Sequence, residues 1–491
     1  MAEPSETPKS LSRRGTAYAS LGQDSRLQDS YGSLEAGSGG ATPSRGEHST
    51  PKAAGARMLT RRQTFAEGEQ DYPSKFSTWT IEQDEDTMTG ASLVVNLLAD
   101  VSPAGVLPLA YGMSGTGYIP AVVLLMLFAC GAGYSMYLIS RTIEISGVKS
   151  YDRIWERCVG ERSKWIPSLV LCIVCFGNAL AYVCMVGDLI SMCLPGFGIS
   201  FLSRSSCIAI LAVFPLLPLC MLKDLSALAP TSFLALLAVF WMIVMMIIRY
   251  VDGSYLPGGQ YHGFPAPRGH VGNMGFSTLI LVDNLAVAFL CHYNGPKYYR
   301  EYKNHRPVRF GSRVLGAFSL VSTLFATSML LGYATFGQHA EGVILNNYDN
   351  SDMLANIARL GMGFANVFST PLMFSGLREG VLAVLSHFAP EQEELYSQVW
   401  FQNTLSAALL SLVAVIAIIV TDASIVIGLV GAICGSAIIY VIPCFLFDAA
   451  TSKFLGQGDD LHHPLEIYLV RGIGLTGVFV MIAGSVATLC L

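Results

Sequence analysis

The chain reads as an all-α polytopic membrane protein, and three observations say so. Eleven apolar stretches fill nearly everything after Met88, each close to the roughly 20 residues that a bilayer-crossing helix needs. Of 491 residues, 52% are hydrophobic and only 13% charged, with a mean hydropathy of +0.49, a balance that excludes an ordinary soluble domain. The first stretch is interrupted at mid-membrane by Asp100-Val101-Ser102-Pro103-Ala104-Gly105. Lipid cannot hydrogen-bond freed backbone groups, so a broken span survives only where protein covers the break or where it lines a cavity.

Residues 1–88 come first in the chain and differ in kind. They are rich in Ser, Gly, Pro and charge and lack apolar periodicity, which predicts a disordered cytosolic tail ahead of a membrane domain at 89–491. Met1 to Ser10 holds no apolar run, so the first span is expected to act as the insertion signal. The spans are expected at 90–113, 119–140, 165–192, 205–222, 226–249, 274–296, 312–336, 354–376, 400–420, 424–447 and 467–490.

Basic residues alternate with these spans. Arg141, Lys149, Arg153, Arg157, Arg162 and Lys164 follow the second span, and Lys297, Arg300, Lys303, Arg306 and Arg309 follow the sixth. Lys and Arg mark cytosolic loops, which predicts a cytosolic N-terminus and Leu491 on the far side. The loops at 114–120, at 191–206 and around Glu341, Asp349 and Asp352 are poor in basic residues. The net charge of -5 decides little, because distribution rather than sum sets orientation.

Most of the twelve cysteines lie inside spans, for example Cys172, Cys175, Cys184 and Cys444, and do not form a secreted disulfide framework. Cys193 and Cys207, flanking one short loop, are the pair placed to bridge outside the cytosol. No Asn-x-Ser/Thr sequon occurs, so glycosylation cannot report topology. No Walker loop, dinucleotide fingerprint, catalytic triad motif or basic nucleic-acid patch is found either, and His462-His463 lacks the further ligands of a metal site. An enzyme, a cofactor and a nucleic-acid partner are therefore not expected.

Ordered motifs then carry a resemblance. Asn96-Leu-Leu-Ala-Asp-Val-Ser-Pro-Ala-Gly-Val-Leu-Pro-Leu-Ala-Tyr-Gly-Met113 resembles the first span of the amino acid/auxin permease family, above all its sodium-coupled neutral amino acid branch. Tyr134-Ser-Met-Tyr-Leu138 with Ser150-Tyr151, Leu217-Pro-Leu-Cys-Met-Leu-Lys-Asp-Leu225, Ala286-Val-Ala-Phe-Leu-Cys-His292, Leu331-Gly-Tyr-Ala-Thr-Phe336, and Gly428-Leu-Val-Gly431 with Pro443 match in the same order. The resemblance implies a leucine-transporter-like 5+5 inverted repeat, spans 1–5 and 6–10, with an eleventh transmembrane helix. It also implies transport of amino acids around broken first and sixth spans.

The site residues follow from that frame. A half-helix starting near Ala104–Gly105 would offer free N–H groups and a positive dipole end to a substrate carboxylate, Gly105 would allow close approach, and Pro103 would bias Ser102 away from helical geometry. The sixth span offers Asp283-Asn284 as the partner half-site. A charge inside a span costs about 2.5–3.5 kcal/mol on insertion scales and is functional by default. Asp100 and Asp283 both depart from the branch, which is usually uncharged there. They are expected near one cavity, carrying a coupling proton or receiving the side chain of a cationic amino acid; the bland reading makes each an interfacial, solvated acid.

For the coupling ion, Ser369-Thr370-Pro371 resembles the family's hydroxyl ligand position, while Ala99 stands where the sodium-coupled branch has a side-chain amide. Beside Asp100, this favours protons over sodium; the bland reading of the hydroxyls is a bond back to the preceding turn. Asp188 reads as an interfacial acid, His292 as a mark of the cytosolic mouth of the sixth span, and Gly431 with Gly435 as a close-packing motif. In the tail, Tyr18-Ala-Ser-Leu21 and Tyr31-Gly-Ser-Leu34 look like adaptor-read sorting signals, and Arg13-Arg14-Gly15-Thr16 and Arg61-Arg62-Gln63-Thr64 like basophilic kinase sites. These signals point to sorting adaptors and kinases as partners and to a plasma membrane, endosomal or vacuolar address. The alternative to a cation-coupled transporter is an amino acid sensor that signals through the tail with little flux.

Overall fold

The computed structural model describes residues 88–490 apart from 223–228, 264–268, 273, 304–305, 421–422 and 455–463. The tail with its sorting and kinase motifs, the Lys223-Asp224-Leu225 end of one family segment, His462-His463 and Leu491 lie outside the described residues.

Span 1 consists of two half-helices, α1 (Gly90–Gly105) and α2 (Leu109–Ser114). Span 2 is α3 (Tyr118–Ser146), the amphipathic α4 (Tyr151–Cys158) lies in the first basic loop, and span 3 is α5 (Trp165–Cys193). Span 4 joins α6 (Arg204–Leu211) to α7 (Leu217–Met221) through a π-helical turn that contains Pro215, and span 5 is α8 (Ala229–Val251). Span 6 is split again, into α9 (Thr278–Ala288) and α10 (Gly295–Glu301). Spans 7, 8 and 9 are α11 (Pro307–Phe336), α12 (Met353–Phe388) and α13 (Val399–Ile419). Span 10 begins as α14 (Ala423–Leu429), passes through π-helical runs at Val430–Gly435 and Ala437–Val441, and ends as α15 (Ile442–Phe454). Span 11 is α16 (Pro464–Cys490).

Among the described residues, eight of these spans are helices long and apolar enough to cross a membrane. The other three are the two broken spans and α12, whose 36 residues carry Arg359, Arg378 and Glu379. Local chemistry sets the ends. Thr89 caps α1 by accepting from the Ser92 amide (3.2 Å), and Asp352 caps α12 by accepting from Leu354 (3.0 Å) and Ala355 (3.4 Å). Gly147, in the left-handed region at φ 72°, ends α3.

Two expectations change at the breaks. α1 does not stop at Asp100–Gly105 but continues through Pro103, and the chain breaks at 106–108. Pro103 removes one donor, yet its fixed φ suits a helix, so it weakens the turn before it without ending it. Pro108 ends it, because the residue before a proline is driven out of helical geometry, and α2 restarts with Pro108 as its N-cap. Ala104 and Gly105 thus close the first half-helix rather than open the second. In span 6 the break falls at 289–291, and the helix resumes as α10 with Pro296 in its first turn, so Lys297 and Arg300 sit on a half-helix instead of in a loop.

The cysteine pair is not bridged: Cys193 and Cys207 are both free thiols, and Cys193 donates to the Ile190 carbonyl (3.2 Å). α12 packs chiefly on α5 and α8, α11 on α1 and α3, and α9 on the first π-helical run of span 10 and on α16. Away from the basic loops, Arg249 of α8 donates to both oxygens of the fully buried Asp352 (2.8 and 2.7 Å), and Tyr255 adds a third bond (2.9 Å). Arg359 of α12 is also fully buried; it donates to the carbonyls of Leu345 and Tyr348 and to Asn356 Oδ1 (2.7 Å), so it pins the loop between α11 and α12.

Candidate functional site

The two breaks face each other. A Cβ on Gly105 would come within 2.6 Å of the Phe325 ring and 2.9 Å of the Ala288 carbonyl oxygen, so only glycine lets the end of α1 meet the end of α9. Protein donors serve the carbonyls that the first break exposes. Ser328 Oγ donates to Val106 O (3.2 Å), the Ile344 amide to Leu107 O (3.1 Å) and Asn284 Nδ2 to Pro108 O (3.1 Å). This is the cover that a break within lipid requires. Asn284 therefore braces the broken first span.

Beside the breaks lies a narrow cavity, with room for about one water molecule. Asp100, Val101, Ala104 and Gly105 line it from α1, Asn178, Ala181, Tyr182 and Met185 from α5, Val287 and Leu290 from span 6, and Ile427 from α14. Its wall is mostly apolar, with Asp100 as its carboxylate. That carboxylate is already well supplied with donors: Tyr293 Oη at 2.6 Å and Tyr298 Oη at 2.9 Å, with Asn294 Nδ2 at 3.3 Å. Lys297, also on α10, is the cation within electrostatic reach.

The structure brings together Asp100, Ala104 and Gly105 from the expected set. Ser102 is fully buried on α1, and its Oγ has no hydrogen-bond partner among the described residues. Asp283 stands elsewhere, and the expectation that the two acids share one cavity fails. It lies one turn before Val287 but packs into the seam with spans 10 and 11, where it is fully buried. Thr488 of α16 donates to its Oδ2 (3.0 Å), its Oδ1 has no donor among the described residues, and Gly431 and Gly484 abut it so closely that a Cβ on either would strike Asp283 itself. Asp283 shares a face of α9 with Val287 but lies one turn further from the break, at the level where Gly431 and Gly484 close on it.

Ser369 and Thr370 lie on α12 and do not line the cavity. Thr370 Oγ1 donates to the Asn366 carbonyl (2.7 Å), the bond back to the preceding turn. Gly435 packs on the Ala286 carbonyl, so the Gly-x-x-x-Gly of span 10 serves close approach to α9. Asp188 is nearly buried and paired with Arg204, which also donates to the Ala417 carbonyl (2.8 Å). His292 is not at a mouth. Because the span continues as α10, His292 is fully buried, its Nε2 lies 3.0 Å from Ala132 O and its own carbonyl accepts from Tyr151 Oη (2.7 Å).

Sequence reasoning missed the α5 wall and the phenols of α10. Asn178 carries a usable signal, since a buried amide in an apolar span is expensive and Tyr182 falls one turn later on the same face. The same signal marks Asn366, fully buried on α12 with neither side-chain polar atom partnered among the described residues. Tyr293 and Tyr298 carry no comparable signal, because the break that turns them inward is not visible as a spacing.

The family model described as transmembrane amino acid transporter protein matches residues 86–487. Vacuolar amino acid transporter 5 of Schizosaccharomyces pombe is 25% identical over 408 residues, covering 80% of this chain and 92% of the relative. Putative sodium-coupled neutral amino acid transporter 11 of Danio rerio is 25% identical over 405 residues, covering 81% and 85%. Among solved structures, Mhp1, a nucleobase-cation-symport-1 family transporter in a closed conformation with bromovinylhydantoin bound, superposes with a TM-score of 0.53 at 13% identity, over 82% of this chain and 91% of that one. Its likeness carries the fold alone: a leucine-transporter-like bundle with paired broken spans. A match over most of its length makes the chain, a multi-pass membrane protein that moves amino acids and is not an enzyme, a member of the transmembrane amino acid transporter family.

Proposed function

We propose that the chain couples amino acid movement to a cation gradient, with protons as the ion, by alternating access around the broken spans 1 and 6. The observation that carries this reading is the cavity at the two breaks with Asp100 in its wall. The backbone around Ala104 and Gly105 meets the substrate's main-chain groups, and Ser102, buried with a free hydroxyl, stands just behind them. The apolar wall of Ala181, Met185, Val287, Leu290 and Ile427 takes the side chain. Asn284 and Asp283 act at one remove, the first by bracing the break and the second by fixing α9 to spans 10 and 11.

Protons are favoured over sodium because Ala99 offers no side-chain oxygen, whereas Asp100 is a carboxylate at the cavity. Ser369 and Thr370 remain the oxygen-bearing candidates for a sodium-driven cycle. The relatives' names place those proteins at a vacuole or describe them as sodium-coupled, and a vacuolar, endosomal or plasma membrane address is proposed here on that likeness. The test is uptake of labelled amino acids into liposomes that contain the purified chain, with pH and sodium gradients imposed separately. Flux that follows the pH gradient alone is expected; flux that needs sodium and ignores pH overturns proton coupling.

A further inference from the structure

Two independent joins link the first half of span 1 to the second half of span 6. Deep in the protein, Asp100 of α1 receives Tyr293, Asn294 and Tyr298, three donors at the start and on the body of α10. At the other end, the Met88 amide donates to the Glu301 carbonyl (2.9 Å) and the Lys303 amide to the Met88 carbonyl (3.0 Å), a parallel bridge between the chain just before α1 and the end of α10. Asn96 reaches back to the Met88 sulfur (3.9 Å) and steadies that bridge. α1 and α10 are thus fastened to each other at both ends of their shared length. Tyr293 and Tyr298 are buried, so their hydroxyls need an acceptor inside the protein, and Asp100 is the one they have.

We infer that Asp100 is a positioning residue, the clasp that makes α1 and α10 one moving body, and not a receptor for the charged side chain of a cationic substrate. This rests on the alternating-access reading for its consequence in transport but not for its geometry. A carboxylate that already accepts from two phenols and an amide has little capacity left for a substrate ammonium, and one phenol bond, at 2.6 Å, is in the short range of charge-assisted contacts. What Asp100 gives the cavity is the placement of its wall. If the clasp opens, only the Met88 bridge still ties α10 to α1, and each half-helix can swing about it with its own neighbours.

The experiment separates these roles. Spin labels go on Val95→Cys in α1 and Lys303→Cys after α10, both exposed, with the exposed native Cys130 and Cys490 replaced by serine. Distances are read in liposomes for the parent, Asp100→Ala, Asp100→Asn and Tyr298→Phe. The clasp predicts a broadened or lengthened distance in Asp100→Ala, intermediate effects in the two conservative variants, and a fall in maximal flux of about tenfold or more that is equal for leucine, lysine and arginine. Tyr298→Phe removes one hydroxyl and nothing else, so it keeps the test informative if Asp100→Ala fails to fold. An unchanged distance in all variants overturns the proposal, as does selective loss of lysine and arginine flux with leucine flux intact. If the parent carries no flux at all, the transport reading fails while the distance measurement still judges the clasp.

Discussion

Asp100 and Asp283 are both carboxylates in the broken spans of the two repeats, and their surroundings could hardly differ more. Asp100 sits five residues before the end of its half-helix, at a cavity wall, with three donors from a neighbouring half-helix. Asp283 sits five residues before the end of α9, sealed in a three-helix seam with one donor from α16 and two glycines against it. Matched positions in an inverted repeat therefore do not imply matched roles. The first repeat uses its acid to hold together two pieces of broken helix. The second uses its acid to hold the first half of span 6 against the added eleventh helix.

The largest expected effect that would break this contrast is at Asp100. Asp100→Ala leaves the hydroxyls of two buried tyrosines without their acceptor, each worth about 1–3 kcal/mol, so a strong loss of thermal stability in detergent is expected together with loss of flux. A variant as stable as the parent would show that the phenols find other partners. Next comes the seam. Gly431→Ala drives a methyl into the backbone of Asp283, and an overpacked core costs about 1–3 kcal/mol; the melting temperature should fall while the substrate profile of any remaining flux stays the same. A changed profile would instead place Asp283 in the substrate path.

Thr488→Val is a milder probe of the same seam. It removes the side-chain donor that Asp283 receives, with an expected loss of about 1–2 kcal/mol seen as a lower melting temperature, and no shift in affinity for amino acids. The smallest effect belongs to an exposed carboxylate that serves as reference. Bonds from Ser351, side chain first and amide second, hold Asp349 below the usual carboxylate range. A lowered folded-state value means that its contribution is present above the ordinary carboxylate pKa of about 3.9 and is lost as pH falls through the folded value. Ser351→Ala should therefore flatten the acid limb of the stability profile slightly, without touching transport near neutral pH.

The sequence makes the fold legible because lipid imposes it: span lengths, basic loops and the two breaks all leave compositional traces, and α5, for example, ends one residue from where periodicity ends it. The exact point of a break is harder. Two prolines, Pro103 and Pro108, compete, and the one that bends the chain most depends on which carbonyls find donors elsewhere, here Ser328, Ile344 and Asn284. The cost of polarity made Asp100 readable; Asn178 carries the same signal but was passed over, and at Asp283 the signal marks a helix seam instead of the cavity. Which way such a side chain faces was not readable, since that is fixed by neighbours such as Gly431 and Gly484, distant in sequence.

Span 10 has a consequence for anyone who scans it residue by residue. Its two π-helical runs, from Val430 to Val441 with Ser436 between them, bond each amide one residue further back than an α-helix does. Every such turn retards the phase of the helix, so positions that share a face in α14 fall out of step with those in α15. A substitution scan plotted on a regular helical wheel would show a stripe of sensitive positions that drifts sideways halfway along. Alignments to relatives that lack the extra residues would show the same drift as a one-residue gap in the middle of a membrane span.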